Sequence, residues 1–185
     1  MRLFLLLIAV SITCLALQFE PMASLVNWHR YLILDGQWWR ILSGNFTHTN
    51  FAHLGMNLGG LWIISYIFKP SKKELLALLL TIGVSVGLLN FLSDMNGYVG
   101  LSGLLHGLFA YFVLQESLNG RKSSWLLVLG VIAKVTWEMT VGASQSTSDL
   151  INARVAVEAH LFGMVSGFAL ALVTHFFPSR NKSAA

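Results

Sequence analysis

The chain has 185 residues, of which 55% are hydrophobic and only 11% are charged, and its mean hydropathy is +0.67. Because soluble domains carry roughly 25% charged residues, this composition excludes an ordinary soluble enzyme, a disordered chain and a fibrous repeat. The single cysteine, Cys14, rules out an internal disulfide and a cysteine metal cluster. The net charge is +4. In so apolar a chain, we interpret the basic residues as setting the orientation of the protein in a membrane rather than as binding nucleic acid.

Six apolar stretches are candidates for transmembrane helices, given that a span needs about 20 apolar residues. In chain order they cover about residues 3–18, 51–68, 74–93, 99–117, 124–141 and 155–177. The first follows Arg2 and is similar to a signal peptide, but it lacks a clean small-x-small cleavage site, so we interpret it as a membrane anchor. The sequence therefore predicts one all-α membrane domain over residues 1–185, with six transmembrane helices.

Basic residues are distributed unevenly between the two sides of such a bundle. If the spans alternate, eight lie on one side: Arg2, Lys69, Lys72, Lys73, Arg121, Lys122, Arg180 and Lys182. Three lie on the other side: Arg30, Arg40 and Arg154. The positive-inside rule then predicts that both termini are cytoplasmic and that the loops 19–50 and 142–154 face outward. We expect an integral protein of a bacterial inner membrane.

Four polar side chains lie near the outer ends of three predicted helices: His53, Asn57, Ser102 and His160. Taken singly, each has a structural interpretation, because a membrane Ser often bonds its i−4 carbonyl and a His or Asn can join neighbouring helices. Together, a Ser and a His on separate helices suit a nucleophile and its general base. A nearby His and Asn can donate hydrogen bonds to a developing oxyanion.

Several predicted helices also carry glycines four residues apart. The pairs are Gly55 and Gly59, Gly83 and Gly87, Gly103 and Gly107, and Gly163 and Gly167. This spacing puts both glycines on one helix face and lets a neighbouring backbone approach closely. The last two pairs lie beside Ser102 and His160, so we expect them to bring those two helices together.

Four short motifs resemble those of the rhomboid family of intramembrane serine proteases. They are Gly100-Leu101-Ser102-Gly103, His53-x-x-x-Asn57, Ala159-His160 with Gly163 and Gly167, and Trp39-Arg40, with His48 at a further family position. The resemblance implies that Ser102 is the nucleophile and His160 the general base. It also implies an oxyanion hole of His53, Asn57 and the Ser102 N–H, and a Ser–His dyad that uses no carboxylate and no cofactor.

The same resemblance implies a set of residues that support the site: His48, His106, Trp39, Arg40, Gly100, Gly103, Gly163 and Gly167. The substrate would be a transmembrane segment of another protein. His106 follows Ser102 by four residues, where many rhomboids carry Tyr, and the string G-x-S-G-x-L-H-G resembles the rhombosortase subfamily. That subfamily implies exported substrates with a C-terminal Gly-Gly segment, a hydrophobic helix and a basic tail. Because His106 shares the Ser102 face, we expect it to pack beside His160, with a role as the base as the alternative.

Lys134 and Glu138 are one helical turn apart in the fifth span. We expect them to form an ion pair that lowers their cost within the membrane, with a tuning role for Glu138 as the alternative. No acidic residue has an obvious claim to a third catalytic position. Three histidines, His29, His48 and His53, lack H-E-x-x-H spacing and an acidic ligand set, so no metal is predicted.

The two long outer loops have different compositions. The loop 19–50 is rich in Trp and Arg, which indicates an element partly embedded at the headgroup level. The loop 142–154 is rich in Ser, Thr and Gly, and we expect a mobile cap that gates access to the site.

Two other functions compete with that of a protease. A proteolytically inactive rhomboid-like protein that binds membrane helices is disfavoured because both Ser102 and His160 are present. A small transporter would need a polar path across the bilayer, whereas the polar residues cluster in the outer half, with Lys134 the main exception. The sequence does not indicate an oligomeric state.

Overall fold

The computed structural model of the protein describes residues 2–177, so the basic residues Arg180 and Lys182 lie outside the described part. Ten α-helices are found there: α1 (Arg2–Ala16), α2 (Met22–Val26), α3 (Arg30–Leu34), α4 (Arg40–Ser43), α5 (Phe51–Phe68), α6 (Lys72–Leu89), α7 (Ser102–Leu118), α8 (Ser124–Val141), α9 (Gln145–Ile151) and α10 (Val157–Phe176). Two 3₁₀ turns follow α4 and α6, at Gly44–Phe46 and Asn90–Leu92. Two short strands complete the fold: β1 (Trp28–His29) and β2 (Gly97–Tyr98).

Four helices within residues 2–177 are long and apolar enough to cross a membrane: Phe51–Phe68, Lys72–Leu92, Ser124–Val141 and Val157–Phe176. They correspond to the predicted second, third, fifth and sixth spans. The helices at the first and fourth spans, α1 and α7, have 15 and 17 residues, which is about 22 and 26 Å at 1.5 Å per residue. A count of six membrane-spanning helices therefore stays a prediction.

The helix α7 lies at the centre of the bundle and packs against α5, α6, α8 and α10. Eleven of its 17 residues are buried, as expected for a helix that is apolar on every side. It begins at Ser102 rather than at residue 99 as predicted, because Gly100 adopts a φ of +117°, which keeps residues 99–101 outside the helix.

The contact between α7 and α10 is made by glycines, as the spacing predicted. A methyl group at Gly163 would overlap the carbonyl oxygen of Gly103, and one at Gly167 would overlap the carbonyl oxygen of Gly107. The backbones of the two helices therefore touch. By contrast, methyl groups at Gly55 would meet no atom within 4 Å among residues 2–177.

The loop 19–50 folds into the short helices α2, α3 and α4 around a small antiparallel sheet, in which Trp28 pairs with Tyr98 and His29 with Gly97. This sheet departs from the all-α prediction, because strands of two residues leave no periodic signal in a sequence. Trp28 is fully buried, and its indole N–H donates to the Gly87 carbonyl at 2.8 Å. The outer loop is thereby attached to α6 and to the segment that leads into α7.

Candidate active site

Ser102 is the first residue of α7 and directly follows the Gly100 turn. The positive φ of Gly100 is a conformation that side chains rarely adopt, so glycine is needed there. The first N–H groups of a helix have no intrahelical acceptor. The Ser102 N–H can therefore donate to a group bound at this end of α7.

The Ser102 hydroxyl contacts His160 in the first turn of α10. Its Oγ lies 3.0 Å from His160 Nε2, and the imidazole is buried. Both side chains come within reach because the glycine contacts hold the two helices together: a methyl at Gly103 would lie only 2.8 Å from the Ala159 carbonyl oxygen. The separation lies within the range of roughly 2.6–3.2 Å that general-base transfer needs.

Glu138 contacts the other nitrogen of the same imidazole. Its Oε2 lies 2.8 Å from His160 Nδ1. An ionised carboxylate only accepts hydrogen bonds, so Nδ1 carries the proton and Nε2 accepts from the Ser102 hydroxyl. The sequence indicated no acidic residue with an obvious claim to a third position, whereas the structure places the Glu138 carboxylate in contact with His160.

Lys134 joins Glu138 to a second histidine. Its ammonium lies 2.7 Å from Glu138 Oε2, as the predicted ion pair requires, and 2.7 Å from His106 Nε2. Because an ammonium only donates, His106 Nε2 is an acceptor and its Nδ1 carries the proton. That Nδ1 lies 2.7 Å from the Ser102 carbonyl oxygen, so His106 contacts the backbone of Ser102.

The rings of His106 and His160 stack, with centroids 4.1 Å apart and planes inclined by 17°. The stacking places His106 beside the imidazole that faces Ser102 Oγ, which is the packing arrangement that we expected. The contacts of His106 run to Lys134 and to the Ser102 carbonyl. This geometry gives His106 no position from which to accept the hydroxyl proton.

His53 and Asn57 lie on the side of the site that faces Gly100. A methyl at Gly100 would lie 2.7 Å from His53 Nε2 and 3.5 Å from Asn57 Nδ2. The Nδ2 of Asn57 is buried and has no hydrogen-bond partner among residues 2–177. Two possible donors therefore converge on the space that the missing side chain of Gly100 leaves open.

The start of α5 fixes the position of His53. Asn50 caps this helix by accepting from the His53 N–H at 2.8 Å. The side chain of Thr49 meets His53 Nδ1 at 3.1 Å, which leaves Nε2 facing Gly100. An ordinary N-cap, which the sequence Asn50-Phe51-Ala52-His53 encodes, thus orients a site histidine.

His48 lies outside the membrane-spanning helices and is buried against His53. Its Nε2 is 3.5 Å from the Leu101 N–H, in the turn before Ser102. Burial, together with the neighbouring His53, lowers the pKa of His48 to about 3. His48 is therefore neutral and acts as a packing and acceptor group behind the turn.

Trp39 and Arg40 support the outer loop rather than the reacting groups. Arg40 is buried and donates to the carbonyl oxygens of Ser24 and Asn27 at 3.0 and 2.8 Å. The indole of Trp39 donates to the Leu25 carbonyl at 2.9 Å. Their hydrogen bonds, as far as residues 2–177 show, stay within this loop.

The loop in turn holds the turn before α7. The Gly100 N–H donates to the Gly44 carbonyl at 3.1 Å, and Gly44 packs against Trp28. The hydroxyl of Tyr98 donates to the Gly100 carbonyl at 2.5 Å, and burial raises the pKa of this phenol. The outer loop therefore positions the backbone that carries Ser102.

A cavity of about 280 Å³ opens beside Ser102 and His53. Its wall includes His29, Tyr98, Arg154 and Ala156. The loop 142–154, predicted as a mobile cap, contains the helix α9, which is attached to the start of α5: Thr49 Oγ1 donates to the Ile151 carbonyl at 2.7 Å. The end of this loop thus forms part of the cavity wall, with Ile151, Ala153 and Arg154, and is hydrogen-bonded to the same segment that orients His53. Its role as a gate stays a prediction.

Among residues 2–177, His106, Glu138 and His160 form a group whose possible ligand atoms all lie within 4.8 Å of one another, close enough to hold a metal ion. Lys134 already presents its ammonium to two of them, at 2.7 Å from His106 Nε2 and from Glu138 Oε2. A metal cation would have to displace this charge. The donor set therefore fits an internal ammonium better than a metal.

Comparison with known proteins identifies the fold family. Residues 35–176, which are 142 of the 185 in the chain, match the family model of the rhomboid domain. The chain belongs to the rhomboid family. This is a family of intramembrane proteases, and the four apolar helices agree with an integral membrane protein.

Named relatives of this rhomboid include two bacterial proteins and one plant protein. YdcA of Bacillus subtilis is 25% identical over 171 residues, covering 83% of this chain and 78% of YdcA. Rhomboid protease GluP of the same organism is 26% identical over 139 residues, covering 74% of this chain but only 26% of GluP. Rhomboid-like protein 11, chloroplastic, of Arabidopsis thaliana is 29% identical over 175 residues, with coverage of 89% and 61%.

The residue that sequence reasoning undervalued in this rhomboid is Glu138. The spacing of one helical turn predicted that Glu138 forms an ion pair with Lys134, and the structure contains that pair. The missed signal was depth, because Glu138 lies four residues before Gly142, at the C-terminal end of α8. Alternation of the spans puts that end on the same side as Ser102 and His160.

Proposed function

We propose that this rhomboid is an intramembrane serine endopeptidase in which Ser102 attacks a substrate carbonyl and His160 is the general base. The proposal rests on one observation above all: the 3.0 Å contact between Ser102 Oγ and His160 Nε2, made by two separate helices. A hydroxyl beside an unprotonated imidazole nitrogen can be activated for acyl transfer.

The chemistry follows from the positions of the donors. As the Ser102 oxygen bonds to the carbonyl carbon, its proton passes to His160 Nε2. The carbonyl oxygen becomes an oxyanion that receives hydrogen bonds from Asn57 Nδ2 and the Ser102 N–H. His53 Nε2 adds a third when the Thr49 hydroxyl turns from the Ile151 carbonyl to His53 Nδ1, which places the ring proton on Nε2. The imidazolium then protonates the leaving amine, and water hydrolyses the acyl-enzyme by the reverse proton route.

We place this site on the outer side of a bacterial inner membrane, with six spanning helices and both termini in the cytoplasm. The excess of Lys and Arg in the opposite loops supports this orientation. The substrate is a transmembrane segment of another protein. An apolar cavity of about 360 Å³ between α5, α7 and α8, which reaches His106, offers such a segment a path from the lipid.

The substrates that we propose are exported proteins anchored by a C-terminal Gly-Gly segment, a hydrophobic helix and a basic tail. This choice rests on the resemblance of Gly100–Gly107 to the rhombosortase motif. The cavity of about 280 Å³ beside Ser102 supports it, because ligand pockets usually hold roughly 300–1,000 Å³. The two glycines of the substrate, which have no side chains, would fit at the scissile bond in a cavity of this size.

Co-expression with an anchored reporter tests both levels of the proposal. One reporter carries an exported domain, Gly-Gly, a hydrophobic helix and a basic tail; its control carries Leu-Leu instead of Gly-Gly. We expect a shortened product from the first reporter only, with its new C-terminus found by mass spectrometry near the anchor. The same cells with Ser102→Ala, at equal membrane levels, are expected to yield no product.

The alternatives give different results in the same experiment. An intact reporter together with Ser102 labelling by a fluorophosphonate keeps the protease but rejects the Gly-Gly substrate class. An intact reporter without labelling indicates an inactive protein that binds membrane helices. Cleavage that persists in Ser102→Ala rejects Ser102 as the nucleophile.

The orientation has its own test. In a Cys14→Ser background, we expect Asp35→Cys to react with an impermeant maleimide from the outside and Lys72→Cys only after the membrane is opened. Both positions are exposed in the structure. Labelling of Lys72→Cys alone in intact cells would invert the topology and put the site on the cytoplasmic side.

A further inference from the structure

The hydrogen bonds around Ser102 form a closed ring through four other side chains. From Ser102 Oγ the contacts run to His160, then to Glu138, Lys134 and His106, and return to the carbonyl of Ser102. The five separations are between 2.7 and 3.0 Å. Two of these residues, Lys134 and Glu138, lie on α8, whereas Ser102 and His160 lie on α7 and α10.

Building on the proposed function, we propose that Glu138 is a positioning residue that turns the Ser102–His160 dyad into a Ser–His–Glu triad, and that Lys134 holds its carboxylate in place by bridging it to His106. Glu138 does not touch the substrate in this arrangement. It acts through the imidazole of His160.

Donor and acceptor rules fix a single proton arrangement around the ring. Lys134 can only donate and an ionised Glu138 can only accept. His160 must then carry its proton on Nδ1, which leaves the Nε2 lone pair directed at the Ser102 hydroxyl. Without Glu138 the imidazole could carry its proton on Nε2, where it cannot accept the hydroxyl proton.

Lys134 explains how a carboxylate can stay ionised at this depth. An unpaired charge in a membrane-spanning helix is costly, and an ion pair with good hydrogen bonds offsets that cost. The side chain of Glu138 is only 14% exposed, whereas that of Lys134 is 47% exposed. The ammonium therefore neutralises the buried partner from the more open side.

His106 completes the support from the opposite direction. Its ring stacks on His160 with centroids 4.1 Å apart, so it restricts rotation of the imidazole out of the plane that reaches both Ser102 and Glu138. Its Nε2 accepts from Lys134, which limits where the ammonium can sit. His106 thus supports the triad in two ways: its ring packs on His160, and its Nε2 accepts a hydrogen bond from Lys134.

The proton balance of the first step is simple. The Ser102 O–H bond breaks as the Oγ–carbon bond forms, and the proton moves to His160 Nε2. The Nδ1 proton stays on the ring and forms a hydrogen bond to the Glu138 carboxylate, which remains ionised throughout. The imidazolium charge that appears is therefore formed next to an existing negative charge, at 2.8 Å.

The test compares Glu138→Gln with Glu158→Gln in the full-length protein. Glu158 is also acidic and lies two residues from His160, but its carboxylate pairs with Arg154 at 2.5 Å. We expect Glu138→Gln to lower kcat for the Gly-Gly reporter by about 10²–10⁴-fold with little change in KM, as expected when the orienting carboxylate of a triad is replaced. The control should stay within about threefold of the wild type.

The rate of Ser102 labelling by a fluorophosphonate gives a second readout that needs no substrate. We expect the same order of activity, wild type above Glu138→Asp and Glu138→Asp above Glu138→Gln, because Asp restores the charge but reaches less far. In a His160→Ala background, Glu138→Gln should leave the slow residual rate of Ser102 labelling unchanged, since Glu138 acts through His160. A further fall in that residual labelling rate would overturn the proposal.

Lys134→Met distinguishes the effect of the ammonium, which holds the carboxylate, from the effect of Glu138, which orients His160. It leaves the Glu138 carboxylate in place but removes its partner, and we expect a loss of about 10-fold, smaller than for Glu138→Gln. A Glu138→Gln protein with wild-type kcat and labelling rate would sink the triad while leaving Ser102 and His160 as a dyad. An active Ser102→Ala protein would instead overturn the proposed function itself.

Discussion

The two helices that bring side chains to Ser102 pack against α7 in different ways. The helix α10 meets α7 backbone to backbone, with Gly163 and Gly167 against Gly103 and Gly107. The helix α8 is mostly exposed: only four of its 18 residues are buried, and a cavity of about 360 Å³ separates part of it from α5 and α7. The two sides of the site are therefore held by different contacts, between backbones for α10 and between side chains for α8.

The difference concerns what each helix has to deliver. His160 must lie within hydrogen-bond distance of Ser102, so α10 is placed by steric contact that tolerates no added atom. Glu138 only has to reach His160, and α8 meets its neighbours through side chains: Val131 and Val135 pack in an apolar cluster with Ala110 and Met164, and the Glu138 carboxylate contacts His160. Loss of the glycine contact between α7 and α10 should affect both folding and activity. Loss of the contact between Glu138 and His160 should affect activity alone.

Gly163→Leu is expected to have the largest effect, because its side chain would overlap the Gly103 carbonyl oxygen and push α10 away. We expect loss of both thermal unfolding cooperativity and reporter cleavage in detergent, as overpacking of a well-packed contact costs roughly 1–3 kcal/mol or more.

The matched control is Gly130→Ala on α8, where a methyl would meet no atom within 4 Å among residues 2–177. Here we expect a gain of about 0.5–1 kcal/mol in unfolding free energy from the helix preference of Ala. Because Gly130 lines the cavity of about 360 Å³, only a small change in cleavage is expected. Equal damage from both substitutions would mean that the two helices are packed alike.

His160→Ala is expected to abolish cleavage while leaving the α7–α10 contact intact. His106→Tyr should retain a substantial part, because another aromatic ring can stack on His160 and the hydroxyl proton is not transferred to position 106. The measurement is the initial rate of reporter cleavage at matched membrane levels. An inactive His106→Tyr beside an active His160→Ala would reverse the assignment of the base.

Asn57→Ala is expected to lower kcat by about 10²–10³-fold, with KM nearly unchanged. Asn57 Nδ2, which has no hydrogen-bond partner among residues 2–177, would donate mainly to charge that develops in the transition state, so its loss leaves substrate binding intact. Reporter titration with purified protein in detergent gives both constants. If KM rises and kcat does not fall, Asn57 belongs to helix packing.

The smallest effect is expected from the protonation of His48. Its pKa of about 3 in the folded protein lies below the usual 6.5, so the unfolded chain binds the proton more readily between these values. Stability is therefore complete above pH 6.5 and is lost as the pH falls towards 3, by about 2 kcal/mol at pH 5.

Denaturant unfolding in detergent at pH 7.5 and pH 5 measures this loss against His48→Gln, which has no such titration. Histidines that do not contact His48 contribute equally to both proteins, so the difference between their pH dependences reports His48 together with its coupling to His53. Parallel dependences would show that His48 is protonated without penalty and is not packed as described.

Part of this protein follows from the order of its residues. The bounds of α5 and α8 agree with the apolar stretches at 51–68 and 124–141, because a membrane helix must satisfy its backbone within itself. The pairing of glycines in α7 and α10 also follows from their spacing, since residues four apart share a face. Those patterns were enough to bring Ser102 and His160 to one depth.

The tertiary structure alone decided which polar groups meet. Lys134 and Glu138 are one turn apart, so the sequence explained each by the other, and nothing in its local pattern distinguished the Glu138 oxygen that faces His160. The same holds for the pairing of Trp28 with Tyr98, which spans 70 positions in two-residue strands. Local periodicity determines helices and their faces, but contacts between distant helices depend on how α7 is surrounded, and that is settled only when all of them pack together.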